Sequence, residues 1–509
     1  MLSKVLTASL SGIDGRFVIV ETDISGGLPA YNVIGLGDTM IKESGDRIRS
    51  AIINSGYKYP RNRVTVNLAP ADIRKGGTHF DLPIAIGILL AESGRTGDHL
   101  ADHAFFGELS LDGRLSPVRG ALPLALCAIE NGIRKIVVPR GNAEEVSLAR
   151  GAGIYIADNL RQAAEFVKGT APLRIYNSRE ANKNIPVPHR EDYSDVKGQE
   201  SAKRTMMICA AGAHGILMTG PPGAGKTMLA RRLPTILPGM TYEEKLQVTK
   251  IYSVSGMLED NGRMMEERPF RAPHHTITSS AMFGGGARPK PGEFSLAHYG
   301  VLFLDEIPLF RRHILDSMRQ PLEDGNVIIA RQGGVVIFPA DVILVAASNP
   351  CRCGYLGDPL HECTCTPGQI AAYRGRLPGP VLDRIDIHAQ ICRVKYEELA
   401  GGGGKSSAEM KRDVEKARTV QLERYENEEI FFNSQLTPGM IGHYCPLSGK
   451  EKKFMAEAYE KLALNMRGYY KVIKTARTIA DLDGDKDIGC SHLAEAMRYR
   501  PQEQEEKWK

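Results

Sequence analysis

The feature that most restricts how this chain can fold is a glycine-rich segment, GPPGAGKT, at residues 220–227. It fits the pattern G-x-x-x-x-G-K-[ST], whose glycines allow backbone N–H groups to surround phosphate oxygens between a buried strand and a helix. An apolar run at 216–218 precedes the segment, and residues 228–237 suit a helix. We therefore expect a parallel α/β domain, and a glycine-rich turn without a ligand is the alternative. The predicted ATP-binding residues are Gly220, Pro221, Pro222, Gly223, Ala224, Gly225, Lys226 and Thr227.

A second segment supports the phosphate-binding interpretation. Residues 301–304 read as a short buried strand, and the acids Asp305 and Glu306 follow it. We predict that Thr227 and Asp305 hold Mg²⁺, Asp305 directly or through water, because hydroxyl and carboxylate oxygens suit this ion. Glu306 is then expected to polarise the attacking water, a general-base role worth about 10²–10⁴ in rate. Taken alone, a strand that ends in a solvated acidic pair would account for these residues equally well.

The composition is that of a globular protein: the chain has 509 residues, of which 42% are apolar and 25% charged. This length allows about three domains. Lys and Arg number 65 against 60 Asp and Glu, so the net charge of +5 does not require a nucleic-acid or membrane partner and does not exclude a local basic face. The longest apolar run, at 82–91, covers about half of a membrane span. The first residues lack the apolar region of a signal peptide. We expect a cytoplasmic protein without a membrane partner.

Changes in composition divide the chain into blocks. The first alternates β-rich runs with helical stretches and is α/β or α+β. A polar segment with three prolines follows as a linker, and the next block has the short buried strands of a parallel sheet covered on both faces. The last block is rich in helix formers and has no convincing strand. We place these blocks at 1–170, 171–195, 196–395 and 408–500. In the first we predict strands at 17–21, 64–68 and 136–139 and helices at 38–55 and 81–93.

Further motifs follow one another along the chain. They are Gly198-Gln199, GPPGAGKT at 220–227, FRAPHHT at 270–276, GVLFLDE at 300–306, ASNPC at 347–351 and LDRID at 382–386. Together they resemble the AAA+ module of the magnesium-chelatase-like ATPases, and within that group the YifB/ComM family. The resemblance covers nearly the whole chain. It implies a central AAA+ P-loop domain with a parallel sheet and a C-terminal helical lid of the magnesium-chelatase type.

The resemblance also implies roles for three more residues. Asn349, after the strand predicted at 342–347, matches the sensor 1 position. Arg384 matches an arginine finger that reaches a neighbouring subunit's nucleotide, a contact worth about 10³–10⁵ in rate in related enzymes. Arg477 matches sensor 2 on the helical lid. A finger that acts between subunits implies hydrolysis only in an assembled ring, and we expect a homo-hexamer. The alternatives are a strand-end turn residue for Asn349 and surface ion pairs for the two arginines.

Two insertions in the central block carry basic residues. The segments 273–276 and 283–290 resemble the helix-2 insert of this clade, and 325–339 reads as two short strands around a glycine pair, like the family's pre-sensor-1 hairpin. Arg288, Lys290 and Arg331 are the candidate DNA contacts, because basic loops inside a ring can follow a phosphate backbone. Structural loops at a subunit interface are the alternative.

Four of the nine cysteines lie close together in the sequence, in two C-x-C pairs. Four thiolates suit tetrahedral Zn²⁺, although C-x-C is tighter than the usual spacing. We expect a structural zinc at Cys351, Cys353, Cys363 and Cys365, with His361 able to replace one thiolate. Free thiols and an iron–sulfur or redox role remain as alternatives. The other five cysteines are expected to be ordinary buried thiols, because a disulfide framework is unusual in so large a chain.

The first block resembles the proteolytic domain of Lon-type enzymes, a ribosomal S5 domain 2-like α+β fold, through FGELSLDGRL at 106–115 and NGIRKIVVP at 131–139. Lon chemistry needs a serine nucleophile and a desolvated lysine. The corresponding segments, GGTHFDLP at 76–83 and GALPL at 120–124, hold neither. We therefore expect a non-proteolytic scaffold, in which Thr78, His79 and Asp81 begin a helix and form no new triad.

The resemblance implies a cytoplasmic, Mg²⁺-dependent AAA+ ATPase that acts as a ring on DNA. Its best-known form is a helicase or branch-migration motor in recombination or transformation, with recombination proteins as partners. A chelatase-like motor that remodels a partner protein complex is the alternative. An ATP-dependent protease is disfavoured because the serine and lysine are absent.

Overall fold

The computed structural model describes residues 2–72, 74–177, 191–258, 262–286, 289–331, 334–394 and 404–500. Its first block is an eight-stranded mixed sheet in the order β10-β9-β8-β5-β1-β2-β4-β3. The strands are β1 (Leu2–Ser11), β2 (Asp14–Ser25), β3 (Ala30–Ile34), β4 (Arg63–Ala69), β5 (His103–Phe105), β8 (Lys135–Pro139), β9 (Gly153–Ala157) and β10 (Arg174–Ile175). Between them, β6 (Glu108–Leu109) and β7 (Leu115–Ser116) pair with each other.

Helices cover both faces of this sheet because successive strand residues point to opposite sides. On β1, Val5 joins an apolar cluster with Ile84, whereas Ala8 joins a second cluster with Leu124. The helices are Thr39–Asn54, Asp81–Glu92, Ala121–Glu130, Ala143–Ser147 and Leu160–Lys168. The strands predicted in this block lie within β2, β4 and β8, and the two predicted helices are the first two of this set. These predictions are confirmed.

The central block is built on a five-stranded sheet in which every neighbouring pair is parallel, in the order β12-β15-β18-β11-β19. Its strands are β11 (Ile216–Thr219), β12 (Phe270–Arg271), β15 (Val301–Leu304), β18 (Ile343–Ser348) and β19 (Ile387–Gln390). The helices of this block are Glu200–Gly212, Lys226–Ile236, Tyr242–Ser255, Ser279–Phe283, Glu293–Leu296, Arg312–Ser317, Arg319–Asp324, Pro367–Arg374 and Gly379–Leu382. The parallel sheet predicted from the short apolar runs is confirmed.

Two antiparallel hairpins lie outside this sheet. One pairs β13 (Gly284–Gly285) with β14 (Lys290–Pro291), and the other pairs β16 (Asn326–Arg331) with β17 (Gly334–Pro339). The second matches the hairpin expected at 325–339, with Arg331 opposite Gly334 next to its tip. Both hairpins belong to the segments that the sequence marks as insertions.

The last block consists of the helices Ser407–Arg424, Pro438–Tyr444, Gly449–Lys461, Met466–Asp483 and Cys490–Met497, and the described residues 404–500 include no strand. These helices share one apolar cluster with a face of the central sheet, because Ile216 and Met218 pack in the same core as Met410 and Ile473. The next residue along β11, Leu217, points to the opposite face and joins a separate cluster.

The predicted linker is shorter than the sequence indicates. Arg174–Ile175 forms β10, which pairs with β9 at the edge of the first sheet, and Tyr193 is fully buried, with its hydroxyl donating to the carbonyl of Leu229 at 2.9 Å. Backbone pairing with β9 brings one end of this segment into the folded structure, and burial of the Tyr193 ring brings in the other, although the polar composition of the segment predicts a loop. Residues 178–190 of this segment lie outside the described residues.

The first block packs directly on the central block. Ile13, in the turn between β1 and β2, is buried in the central core. The buried carboxylate of Glu145 accepts hydrogen bonds from the Leu122 amide at 2.9 Å and from the Ser253 hydroxyl of helix Tyr242–Ser255. Within the described ranges, no helix combines the length and the apolar character needed to cross a lipid bilayer.

Candidate active site

Three predicted segments converge at one edge of the central sheet. β11, β15 and β18 run parallel, so the residues that follow them emerge at the same carboxyl edge. Gly220, Asp305 and Asn349 each come directly after one of these strands. Ligands of open parallel sheets bind at this edge. The topology therefore gathers residues that lie far apart in the sequence.

The glycine-rich loop lies between β11 and helix Lys226–Ile236, as its sequence pattern predicts. Gly225 caps this helix with a φ of +85°, a left-handed conformation that favours glycine. At position 220 a side chain would collide with the neighbouring segment, because a Cβ atom there would lie 2.2 Å from the carbonyl oxygen of Ile391. The loop ends at a helix N-terminus, whose backbone N–H groups and dipole attract anions.

Lys226 and Thr227 connect the loop to the other two strand ends. The Lys226 Nζ donates to the carbonyl oxygens of Gly220 at 2.5 Å and Pro221 at 3.0 Å and to Asn349 Oδ1 at 3.1 Å. The Thr227 hydroxyl donates to Asp305 Oδ2 at 2.9 Å. Burial lowers the pKa of the Lys226 ammonium from its usual value, although nearby Asp305 acts in the opposite direction.

Glu306 lies exposed at the mouth of this site. Its backbone has a φ of +49°, which is uncommon for a non-glycine residue, and its amide donates to Asp305 Oδ1 at 2.9 Å. This turn separates the two acids: Asp305 points to Thr227, while the Glu306 carboxylate faces solvent. The site thus offers an ammonium and helix amides for phosphate, an oxygen pair for a divalent cation and an exposed carboxylate that can accept a proton.

Sequence reasoning missed two residues that support this site. Gln199 donates from Nε2 to the carbonyl oxygens of Ala224 at 2.7 Å and Cys392 at 3.1 Å, so its amide ties the phosphate loop to the end of β19. Tyr373 is buried beside the end of β18, and burial is the largest of the effects that raise the pKa of its hydroxyl. The Gly198-Gln199 motif could have indicated Gln199, whereas no sequence pattern indicated Tyr373.

Arg384 lies at the amino ends of the strands, opposite the end that carries the phosphate loop. It precedes β19, and the amides of its neighbours Asp386 and Ile387 donate to the carbonyl of Gly215 just before β11, each at 3.0 Å. Its guanidinium forms an ion pair with Glu323. The length of a four-residue strand, about 13 Å, therefore separates Arg384 from the phosphate loop. Within one chain, Arg384 has the ion pair that the sequence left open as its alternative role.

Arg477 does not face the phosphate loop. Its side chain is buried, and its guanidinium donates to Asp481 Oδ1 at 3.1 Å and to the carbonyl oxygens of Lys486 and Asp485, both at 2.8 Å. A buried guanidinium with these partners is not accessible to a nucleotide in this structure. Within one chain Arg477 joins helix Met466–Asp483 to the turn that follows, and the sensor 2 role implied by the resemblance stays a prediction.

The candidate basic residues lie on two neighbouring hairpins. Lys290 is exposed on β14 and Arg331 is exposed at the end of β16. A Cβ atom at Gly285, the partner of Lys290, would lie 3.5 Å from an Nη atom of Arg331. The structure therefore brings these two cations to one surface. Arg288 lies outside the described residues.

The four clustered cysteines come together. Their Sγ atoms all lie within 4.8 Å of one another, and hydrogen bonding, first from the Tyr355 amide, lowers the pKa of the Cys353 thiol to about 5. His361 is not part of this group; its ring stacks on Tyr355 with a centroid distance of 4.8 Å. Of the other five cysteines, three are buried, but Cys392 is exposed and Cys490 is half-buried. The expectation of five buried thiols is therefore wrong for these two, since they lie at the surface of the packed blocks.

Thr78, His79 and Asp81 have separate partners. The Thr78 hydroxyl donates to Glu108, the His79 ring contacts the carbonyl of Ala8, and Asp81 forms a two-point ion pair with Arg47 at 2.7 and 2.9 Å. Asp81 is also the first residue of helix Asp81–Glu92. The three side chains form no triad, which agrees with their predicted place at a helix start.

The chain is similar to known proteins over nearly its whole length. Family models described as subunit ChlI of magnesium chelatase match residues 20–142, 192–399 and 404–500. The chain is 42% identical to competence protein ComM of Haemophilus influenzae, over 98% of this chain and 97% of the relative. It is 42% identical to YifB of Escherichia coli over the same shares of each. The magnesium-chelatase 38 kDa subunit of Rhodobacter capsulatus is 23% identical, over 64% of this chain and 89% of the relative. The chain therefore belongs to the YifB/ComM family of magnesium-chelatase-like AAA+ ATPases.

Proposed function

We propose that this protein is a Mg²⁺-dependent ATPase that works as a ring on DNA. The observation that carries the ATPase part is the pair of hydrogen bonds from Lys226 to Asn349 and from Thr227 to Asp305, which join the phosphate loop to two other strand ends. Each residue type suits its part of the chemistry. The loop amides and the Lys226 ammonium bind the phosphates, and Asn349 orients the reacting groups beside Lys226.

The residues present fit a magnesium ion. The Thr227 hydroxyl and the Asp305 carboxylate lie 2.9 Å apart at the start of the helix, and hard oxygen ligands of this kind are those that Mg²⁺ prefers. When bound, the ion neutralises charge on the phosphate oxygens. Glu306 lies exposed beside this pair and accepts a proton from the attacking water.

Replacing the proposed base tests this assignment. Glu306→Gln should bind ATP normally but hydrolyse it about 10²–10⁴ times more slowly, because the amide cannot accept the proton. Binding is measured with a fluorescent nucleotide and hydrolysis by phosphate release. Glu457→Gln, on the surface of helix Gly449–Lys461, is the control and should hydrolyse normally. Normal turnover in Glu306→Gln would remove Glu306 from this role.

The place of Arg384 supports ring assembly. Arg384 lies at the end of the strands opposite the phosphate loop of its own chain, which supports a role at the nucleotide site of another copy. Charge-stabilising arginines of this kind are supplied in trans in other P-loop enzymes. We therefore propose a homo-hexamer, and light scattering with ATP and Mg²⁺ tests it. A protein that stays monomeric under these conditions and never hydrolyses ATP contradicts the proposal.

DNA as the substrate is supported by two features. Lys290 and Arg331 lie on adjacent hairpins, where paired cations suit a phosphate backbone. In addition, a relative 42% identical over nearly the whole chain is named for competence. A helicase or branch-migration motor in recombination or transformation, alongside recombination proteins, accounts for both.

The test is the ATPase rate with single-stranded, duplex and branched DNA at two salt concentrations. We expect DNA to stimulate hydrolysis and its affinity to fall steeply with salt. Lys290→Ala and Arg331→Ala should each reduce the slope of log DNA affinity against log salt concentration by about one. Lys416→Ala, on an exposed helix surface, should leave this slope unchanged.

The second candidate is a motor that remodels a partner protein complex. It is favoured by the similarity to a magnesium-chelatase subunit and by the small net charge. ATP hydrolysis that is insensitive to every DNA but stimulated by a protein would support this function and contradict the DNA motor.

A further inference from the structure

We propose that Cys351, Cys353, Cys363 and Cys365 bind one Zn²⁺ ion, and that this ion fixes the loop that supports the phosphate loop. No family match assigns a metal to these cysteines. The part that concerns support of the phosphate loop rests on the proposed ATPase function. The metal site itself does not.

The sulfur geometry suits a tetrahedral soft-metal site. The Sγ of Cys351 lies 3.3 Å from that of Cys353 and 3.7 Å from that of Cys363, and the last two lie 3.6 Å apart. Four ligands about 2.3 Å from a zinc ion are separated by about 3.8 Å in a tetrahedron. A disulfide requires about 2.05 Å. Three of the four sulfurs thus already lie near the spacing of zinc ligands, and all four lie within 4.8 Å of one another.

The loop between β18 and helix Pro367–Arg374 has few other means of keeping its shape. All of its residues are described, and none belongs to a helix or strand. Between Cys351 and Thr366, only Cys351, Gly354 and the side chain of Asp358 are buried, and Asp358 forms an ion pair with Arg393 at 3.2 Å. Loops of this length without regular structure are uncommon in compact domains unless something else orders them. A metal bound by two pairs of thiolates, one at each end of the loop, would do so.

The same loop contacts the candidate active site at both ends. Cys351 follows Asn349 by two residues, and Tyr373, on the helix after the loop, lies beside the end of β18. Within the loop, Gly354 has a φ of +89°, and a Cβ atom there would lie 2.8 Å from the Cδ and Cγ atoms of Pro222. Closing the loop around a metal would therefore hold Asn349 and press the Gly354 backbone against the phosphate loop.

Metal content tests the first part. Full-length protein purified without added metal should contain about one zinc per chain by mass spectrometry of the metal. Cys363→Ser with Cys365→Ser should lose it, whereas Cys490→Ser, a thiol outside the cluster, should retain it. A preparation with no stoichiometric metal and four freely titrating thiols in the cluster would overturn the zinc site, as would stoichiometric iron with visible absorption.

A matched pair of glycine variants tests the second part. Gly354 and Gly357 both have positive φ, at +89° and +77°, so alanine strains the backbone at either position. Only at Gly354 does the new methyl group collide with Pro222; at Gly357 nothing lies within 4 Å. We expect Gly354→Ala to weaken nucleotide binding by about tenfold or more, the usual scale of overpacking, with its zinc retained. Gly357→Ala should stay within about threefold of the parent.

Equal nucleotide affinities in the two glycine variants would overturn the support of the phosphate loop and leave the metal site in place. If the parent protein bound zinc but never hydrolysed ATP, the proposed function would fail while the metal site stood. The zinc measurement needs no enzymatic activity, so the two failures are distinguishable.

Discussion

Substitution of Arg477 distinguishes the role that the family resemblance implies from the role that the structure indicates. The resemblance implies a nucleotide sensor, but the structure buries the guanidinium and surrounds it with Asp481 and the carbonyls of Asp485 and Lys486. We predict that Arg477→Ala destabilises the helical block and changes nucleotide binding only through that loss. Asp481 is buried as well, so its partners determine the size of the effect.

The magnitude follows from what remains after the substitution. Removing one member of a buried ion pair costs about 3–5 kcal/mol because the other charge is left in a poorly polar environment. Here Asp481 keeps two partners, Arg424 at 2.9 Å and Asn433 at 2.8 Å. We therefore expect the free energy of unfolding to fall by about 3 kcal/mol, the lower end of this range. The two carbonyls that lose their donors contribute to this loss. For a cooperative unit of about 150–250 residues, this lowers Tm by about 6–12 °C.

The assay is thermal unfolding followed by circular dichroism, with nucleotide affinity measured well below the Tm of the variant. Arg467→Ala is the control, because its exposed pair with Asp383 should contribute about 1 kcal/mol or less. Arg477→Lys should restore little stability, since an ammonium cannot donate to three partners in the geometry of the guanidinium fork. An Arg477→Ala protein with unchanged unfolding and no ATP hydrolysis would refute the structural role and restore the sensor assignment.

Three further predictions concern other parts of the chain. Mixing Arg384→Ala subunits with Lys226→Ala subunits should recover part of the ATPase activity, because some interfaces then pair an intact arginine with an intact phosphate loop; no recovery in assembled rings would contradict action in trans. Gly220→Ala places a methyl group 2.2 Å from the Ile391 carbonyl and should weaken nucleotide binding by about tenfold or more, whereas Gly379→Ala, with nothing within 4 Å, should not. Burial raises the pKa of Asp81 to about 6 against the opposing Arg47. Between about pH 4 and pH 6 the folded protein should therefore bind more protons than the unfolded chain, and its stability should fall over this range by up to about 3 kcal/mol, a decrease that denaturant titrations of Asp81→Asn should not show.

The residues of the nucleotide site could be predicted because their chemistry is local. A phosphate loop needs glycines, a lysine and a hydroxyl in consecutive positions, and an acidic strand end needs carboxylates after an apolar run, so each pattern is complete within about ten residues. The same holds for the strands and helices of the first block, whose apolar spacing is fixed by the element itself. The four cysteines could also be predicted as one group, because clustered thiolates are typical metal ligands and a disulfide framework is unusual in so large a chain.

The sequence alone thus determined the local motifs, and the resemblance that these motifs carry indicated the family. Which side chains meet became known only from the folded arrangement. It placed Arg384 at the edge of the sheet opposite Lys226, buried Arg477 against Asp481, tied the phosphate loop to Gln199, and set Gly354 against Pro222. These contacts join residues far apart in the chain or turn a side chain away from its expected partner, so they depend on the order of strands in the sheet and on how the cores fill. Neither can be inferred from the sequence neighbours of any one residue.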